Sequence, residues 1–369
     1  MMKFGINAFL VFLVLVFSAC TVPEGEGSVR IPFDPDLYGW KTASWMPFTV
    51  SDTISGFAYG KINGTDRYVA VSYTGIIAWS NDGDIWHRAT VTVLKDGEPA
   101  PVPFSASLNA VAFGDGIFVA VGNGGKAARS TDGIEWTAVD KDYEDGISGF
   151  GTENIRGIAW GKGNFIAVGG NSNISCSPDG ITWTGCRDAD FWGFQLNDIA
   201  FDSANGRFYI VGDEGTHGWA DVPWADKKWN IRQLPNGDTP PFGRNSIRKV
   251  TVGAYGNGIG IGIVYDEWGG RRMDIAAHRD FYDFWGDLDN GYFGDNTING
   301  IAWGGGSFVA AGSGAMIGWW PSDKPTVMAQ RYWRAGSFTE FQWWEISALA
   351  ALKDRFFVGN VGGRIGFSK

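Results

Sequence analysis

Cysteine, histidine and positive charge are all scarce in this chain. Three cysteines and three histidines occur in 369 residues. His87, His217 and His278 are far apart, and no second Cys or His stands near any of them at zinc spacing, which argues against a Cys/His metal centre. Lys and Arg number 30 against 40 Asp and Glu, a formal net charge of −10. Without a basic stripe or an interleaved Arg–aromatic segment, that balance argues against nucleic acid as a general partner. No amphipathic helical stretch of useful length follows residue 20, so a helical architecture is not expected. Glycine is abundant instead, at 55 residues, about twice the usual ~7% share. Without a collagen-like period, that much glycine means many tight turns. Nineteen tryptophans and 26 phenylalanines supply large rings for broad apolar interfaces.

The N-terminus reads as a targeting segment. Lys3 gives a short basic start, and Phe9 to Phe17 is an unbroken apolar run of nine residues. That is too short to span a bilayer and suits a signal-peptide core. It ends in Phe17-Ser-Ala-Cys20, which resembles the lipobox of bacterial lipoproteins, with Phe17 where leucine is usual. The resemblance implies acylation at Cys20 and a membrane-anchored protein of the cell envelope, outside the cytoplasm; the alternative is an ordinary cleaved signal with Cys20 incidental. Residues 20–37 are rich in Pro, Gly and Glu and read as a tether. The expected organisation is a signal peptide over 1–19, a lipidated cysteine and tether over 20–37, and one folded domain over 38–369. Cys176 and Cys186 flank a turn and could face each other across a hairpin. An exported chain permits a disulfide there, and two buried thiols are the other possibility.

The folded part is repetitive. Trp86, Trp136, Trp183, Trp229, Trp285 and Trp333 follow at intervals of 50, 47, 46, 56 and 48 residues, and a seventh copy, Trp40, sits near the N-terminus. A period of this length, carried by short glycine-punctuated strands, marks propeller blades. Each repeat opens with an apolar-x-x-apolar strand, at Ile54, Leu108, Ile155, Leu196, Ile247, Ile298 and Ile346. A second strand follows, as in Phe118-Val-Ala-Val and Phe165-Ile-Ala-Val, apolar throughout and so expected to be buried on both faces. The last repeat stops at Lys369 after three strands, and the segment bearing Trp40 supplies the fourth. The expectation is an all-β, seven-bladed β-propeller of four-stranded antiparallel blades, closed by an N-terminal strand completing the last blade.

Three hairpins share a tighter pattern: Ser80-Asn-Asp-Gly-Asp-Ile-Trp86, Ser130-Thr-Asp-Gly-Ile-Glu-Trp136 and Ser177-Pro-Asp-Gly-Ile-Thr-Trp183. It resembles the Asp-box, or BNR repeat, of sialidase-like propellers, one residue shorter between serine and glycine. In that family these turns lie at the outer edge, away from the active site, so the resemblance implies fold rather than chemistry. Val29-Arg-Ile-Pro32 also resembles the segment carrying the first sialidase arginine, but it falls inside the tether, and Arg30 is read as structural or incidental.

The functional pointer is positional. The first polar residue of each innermost strand is Ser55, Asn109, Arg156, Asn197, Arg248, Asn299 or Ser347. Facing a channel mouth, these would form a hydrogen-bonding ring with two cations, suited to an acidic or hydroxyl-rich ligand. The alternative is a ring that merely solvates a water-filled channel. Loops on the same face carry Tyr73, Phe191, Trp192, Trp268, Tyr292, Trp343 and Trp344, which suit sugar rings or a protein surface. The expected site is Asn109, Arg156, Asn197, Arg248 and Asn299 with Tyr73, Trp192, Trp268 and Trp343. It would bind a glycan or an envelope protein as a monomer, without catalysis, cofactor or metal. The competing reading is a glycoside hydrolase or lyase using loop carboxylates such as Asp213-Glu214 or Asp266-Glu267.

Overall fold

The computed structural model describes residues 40–368 apart from 96–97, 101–105, 140–146, 189–192, 227, 233–244, 254–256, 266–270, 280–284, 288–296, 321–333 and 338–344. All described residues belong to the compact unit Ile31–Lys369. Trp333, Cys20 and Arg30 lie outside them.

The strands group into six four-stranded antiparallel sheets and one six-stranded sheet. Each opens with an apolar-x-x-apolar segment: Ile54–Ile62, Leu108–Gly114, Ile155–Gly161, Leu196–Asp202, Ile247–Val252, Ile298–Gly304 and Ile346–Leu352. These innermost strands touch one another in that order, and the last returns to the first. The result is a β-propeller. The expectation of uniform four-stranded antiparallel blades is corrected in one sheet. The residues after Trp86 form a hairpin, Thr90–Lys95 and Glu98–Ala100, that adds to the outer edge of the following sheet. Its first strand runs parallel to Glu135–Ala138, with Val91 opposite Trp136. The alternation Thr90-Val-Thr-Val favours a strand, while Pro99 stands on the new outer edge, where a missing backbone donor is tolerated.

The second strands are buried along their length because each is covered from both sides. Within Ile117–Gly122, Phe118 and Ala120 pack with Val69, Val71 and Ile77 of the preceding sheet. Val119 and Val121 pack with Ile155, Phe165 and Trp183 of the next. The period-2 alternation of a strand therefore serves two interfaces at once. Glycines end several of these strands for a steric reason. A Cβ on Gly122, Gly169 or Gly312 would stand 2.0, 2.0 or 1.8 Å from a backbone carbonyl oxygen just before the innermost strand. The same carbonyls, of Ser107, Asn154 and Thr297, accept the N–H of the residue after each glycine at 2.9, 2.9 and 2.8 Å.

The ring closes as the sequence predicts. Trp40–Thr42 pairs antiparallel with Ile365–Ser368, Trp40 opposite Ser368 and Thr42 opposite Gly366. The following residues cross to the first repeat, where Trp86 N–H donates to Trp45 O at 2.9 Å and Ser44 N–H to Asp84 Oδ1 at 2.7 Å.

The three Ser-x-Asp-Gly turns are built alike. In each, the aspartate accepts two backbone N–H bonds and the serine hydroxyl. For Asp132 these come from Ile134 at 2.8 Å, Glu135 at 2.9 Å and Ser130 at 2.9 Å. The tryptophan folds back, its Nε1–H donating to the glycine carbonyl at 2.9, 3.1 and 3.3 Å in Trp86, Trp136 and Trp183. Gly133 has φ +75°, and a Cβ there would meet Arg67 of the preceding blade at 2.8 Å. Arginines of preceding blades also reach the other two turns: Arg355 donates to Asp82 O at 3.1 Å and Arg129 to Asp179 O at 2.8 Å.

Burial alone would raise the Asp82, Asp132 and Asp179 carboxyls, but the N–H and hydroxyl donors outweigh it and hold all three below the usual carboxylate range. For Asp179 the donors are Thr182 and Ile181, with the Ser177 hydroxyl. A lowered folded-state value contributes stability above the unfolded value of about 3.9, and that stability is lost as the pH falls through the folded value. The melting temperature is therefore expected to drop steeply below about pH 4. The triple variant Asp82→Asn, Asp132→Asn, Asp179→Asn should start lower at neutral pH and show a flatter acid limb. An unchanged acid limb in that variant would remove these turns as the source.

Cys176 and Cys186 form a disulfide with Cα atoms 6.0 Å apart, which settles the choice left open between a bond and free thiols. It is buried between two blades, and Cys186 O accepts the Nε1–H of Trp229 from the next repeat at 3.1 Å.

Candidate functional site

Every innermost strand carries an irregularity at the same place. Pairing with the second strand shifts between Ile54 and Gly56, Leu108 and Ala110, Ile155 and Gly157, and Leu196 and Asp198. It shifts likewise between Ile247 and Lys249, Ile298 and Gly300, and Ile346 and Ala348. The residue left over is in each case the polar one: Ser55, Asn109, Arg156, Asn197, Arg248, Asn299 or Ser347. A bulge frees one residue from the ladder and re-aims its side chain. All seven line one cavity of about 900 Å³ at the channel mouth.

Five of them are occupied in holding the ring together. Each donates to the carbonyl of the residue that opens the next blade's innermost strand. Ser55 Oγ reaches Leu108 O at 2.6 Å, and Asn109 Nδ2 reaches Ile155 O at 2.6 Å. Asn197 Nδ2 reaches Ile247 O at 3.0 Å, and Asn299 Nδ2 reaches Ile346 O at 2.8 Å. Ser347 Oγ reaches Ile54 O at 2.7 Å and completes the circuit. The amides of Asn109, Asn197 and Asn299, assigned to a ligand from the sequence, thus also staple neighbouring blades. Asn109 also donates to Asn123 Oδ1, and Asn197 to Asp213 Oδ1 and Ser246 Oγ.

Arg156 is different. It is exposed in the cavity, and no hydrogen bond or ion pair joins it to another described residue. Arg248 is also exposed on the wall. Tyr73 lines the same cavity, 48% exposed. The other aromatic residues expected here, Trp192, Trp268 and Trp343, together with Phe191, Tyr292 and Trp344, fall outside the described residues, as does Asp266-Glu267.

The structure adds wall residues that strand patterning did not single out. Thr53, Asn154, Gln195, Ser246 and Glu345 each directly precede an innermost strand, while Asn123, Asp213 and Val361 directly follow a second strand or its last residue. Their positions relative to the strands were the available signal. With Glu214, three carboxylates line the cavity, and two are already engaged. Asp213 Oδ1 accepts from Asn197 at 2.9 Å and Ser246 at 2.6 Å, and Glu345 Oε1 accepts from Asn299 at 2.8 Å. Asp213 and Glu214 are neighbours in one turn, and Asp213 serves as an acceptor that orients Asn197 and Ser246.

Deeper along the same strand, Lys249 Nζ stands 4.0 Å from Asp198 Oδ1, and Val250 N–H donates to Asp198 Oδ2 at 3.0 Å. Burial pushes the Asp198 carboxyl above its usual range, with the Lys249 ammonium and that N–H acting against it. Among the described residues, no cluster of three or more His, Cys, Asp or Glu side chains is arranged to hold a metal ion.

No family model matches the chain, and no curated protein matches it. Solved structures do. YCF48 bound to D1 peptide is 15% identical over 92% of this chain and 99% of its own, with a TM-score of 0.64. YCF48 from Cyanidioschyzon merolae is 14% identical over 89% of this chain and 98% of its own, with a TM-score of 0.60. The WD40 β-propeller domain of Doa1 is 10% identical over 90% of this chain and 97% of its own, with a TM-score of 0.60. At such identities the likeness shows the fold alone, and that fold is the β-propeller.

Proposed function

We propose that this chain is a lipid-anchored, extracytoplasmic propeller that holds a protein partner at its channel mouth without carrying out chemistry. The observation that carries this reading is the cavity of about 900 Å³, walled by the bulged residues of every innermost strand. A second support is that a propeller of similar fold, YCF48, has been solved with a peptide bound. In this reading the six-stranded sheet is the seventh blade, enlarged by the hairpin over Thr90–Lys95 and Glu98–Ala100. The buried disulfide accords with an oxidising compartment, and Phe17-Ser-Ala-Cys20 supplies the anchor.

The test places a photo-crosslinking phenylalanine analogue at Tyr73 in living cells. A discrete light-dependent protein adduct is expected from Tyr73, and none from the same analogue at Asp115, in the turn after the innermost strand Leu108–Gly114. No adduct from Tyr73, or equal adducts from both positions, would reject a partner at the mouth. Palmitate labelling that persisted in Cys20→Ser would remove the anchor from the reading.

A further inference from the structure

Around the mouth, the junctions differ in one respect that staple geometry alone does not require. Where Ser or Asn stands at the bulge, a side-chain hydrogen bond joins the blade to its neighbour. Arg156 occupies the same bulge position and makes no such bond to Leu196 or to any other described residue. Its guanidinium is left facing the cavity with its planar set of donors unused, and that fork matches a carboxylate. Of the cavity's acids, Asp213 and Glu345 each use one carboxylate oxygen to accept hydrogen bonds from Asn197, Ser246 and Asn299.

Elsewhere on the rim, two exposed side chains offer apolar surface. Tyr73 N–H donates to Thr53 O at 2.9 Å, and Thr53 pairs with Val361 in an antiparallel bridge. Tyr73 and Val361 thereby flank Thr53 on the cavity wall, 48% and 39% exposed. Ring order places them at the junction of the first and last innermost strands, with Arg156 on the third. The mouth thus presents an apolar lip and, two or more blades away, an unengaged cation. Aliphatic and phenolic surface on the same mouth as a carboxylate-matching fork suits a peptide better than a sugar, whose hydroxyls would find the Nδ2 donors of Asn109, Asn197 and Asn299 already occupied.

Resting on the reading of the mouth as a protein-binding site, we propose that it selects an acidic peptide segment, with a carboxylate on Arg156 and an apolar side chain against Tyr73 and Val361. Glu214 opposes this ligand from the same rim. It is exposed, and no hydrogen bond or ion pair joins it to another described residue. Its neutralisation should therefore strengthen binding, an effect that a purely structural role for the rim does not produce.

The experiment uses the full chain in detergent and a positional-scanning library of acetylated octapeptides, prepared with free and with amidated C-termini. Retained pools should be enriched in Asp or Glu together with Leu, Ile, Val or Phe. Arg156→Gln should weaken the retained peptides at least tenfold with an unchanged melting temperature, and Glu214→Gln should tighten them. Loss on amidation would assign the carboxylate to a chain terminus; indifference to amidation would assign it to a side chain. Retention without acidic preference, or equal affinity in Arg156→Gln, overturns the selection while leaving a protein-binding mouth in place. Failure of every pool, or retention of uronic-acid oligosaccharides in their stead, overturns the peptide assignment itself. The Tyr73 adduct then decides the underlying reading separately.

Discussion

Removal of residues 40–49 is expected to abolish the cooperative melting transition or leave an aggregating chain. This segment does three things at once. It supplies the outer strand to Ile365–Ser368, with Ala43 N–H donating to Ile365 O at 2.9 Å beyond the paired residues. It joins the first repeat through Ser44, Trp45 and the ion pair of Lys41 with Asp84. It also packs Ala43, Met46 and Phe48 into the cluster that contains Trp86, Phe357 and Phe367. Without it, a strand edge is opened and an apolar interface between the last and first blades is uncovered, the two conditions that favour aggregation. Circular dichroism melting and size-exclusion chromatography of the truncated chain provide the measurement. A monomer with the parent's melting temperature would refute the closure role. Adding residues 40–49 back as a peptide should restore part of the transition.

Trp136→Ala should cost about 3–5 kcal/mol, the usual range for a large aromatic lost from a core. Trp136 is 1% exposed, lies beside Phe118 at 6.3 Å between ring centroids, and stands opposite Val91 of the added hairpin. Its loss therefore loosens the turn, the interface between blades and the extra strands together. Trp136→Phe keeps most of the apolar surface and loses the bond to Gly133 O, a cost of about 1 kcal/mol for the bond alone. Denaturant unfolding of the two variants separates the terms. Equal values for both, or an alanine variant within about 1 kcal/mol of the parent, would contradict the packing role given to Trp136.

Much of the architecture was legible because it repeats. Apolar-x-x-apolar openings, apolar second strands and turn glycines recur in one register, so each copy supports the others. The closing strand was legible for the same reason: the tryptophan that marks each outer strand recurs at Trp40, in the strand that pairs with Ile365–Ser368. The added hairpin was missed. It occurs in one connection only, so no repeat marked it, although Thr90-Val-Thr-Val carried the alternation of a strand.

By itself, the sequence determined the all-β repeat, its closure and the placement of seven polar residues at equivalent points of the innermost strands. Local patterning suffices for this, since strand periodicity and turn chemistry act over a few residues. The tertiary structure alone decided what those residues do. Asn109 finds its carbonyl acceptor 46 positions later, and Ser347 finds its own 293 positions earlier. Only the closed ring brings such partners within hydrogen-bond distance. The same ring brings Asp213, Glu345, Tyr73 and Val361 from three repeats to the cavity that Arg156 also lines. Whether a polar side chain staples two blades or stays open to a ligand depends on that neighbour, because hydrogen bonds are satisfied in space and not along the chain.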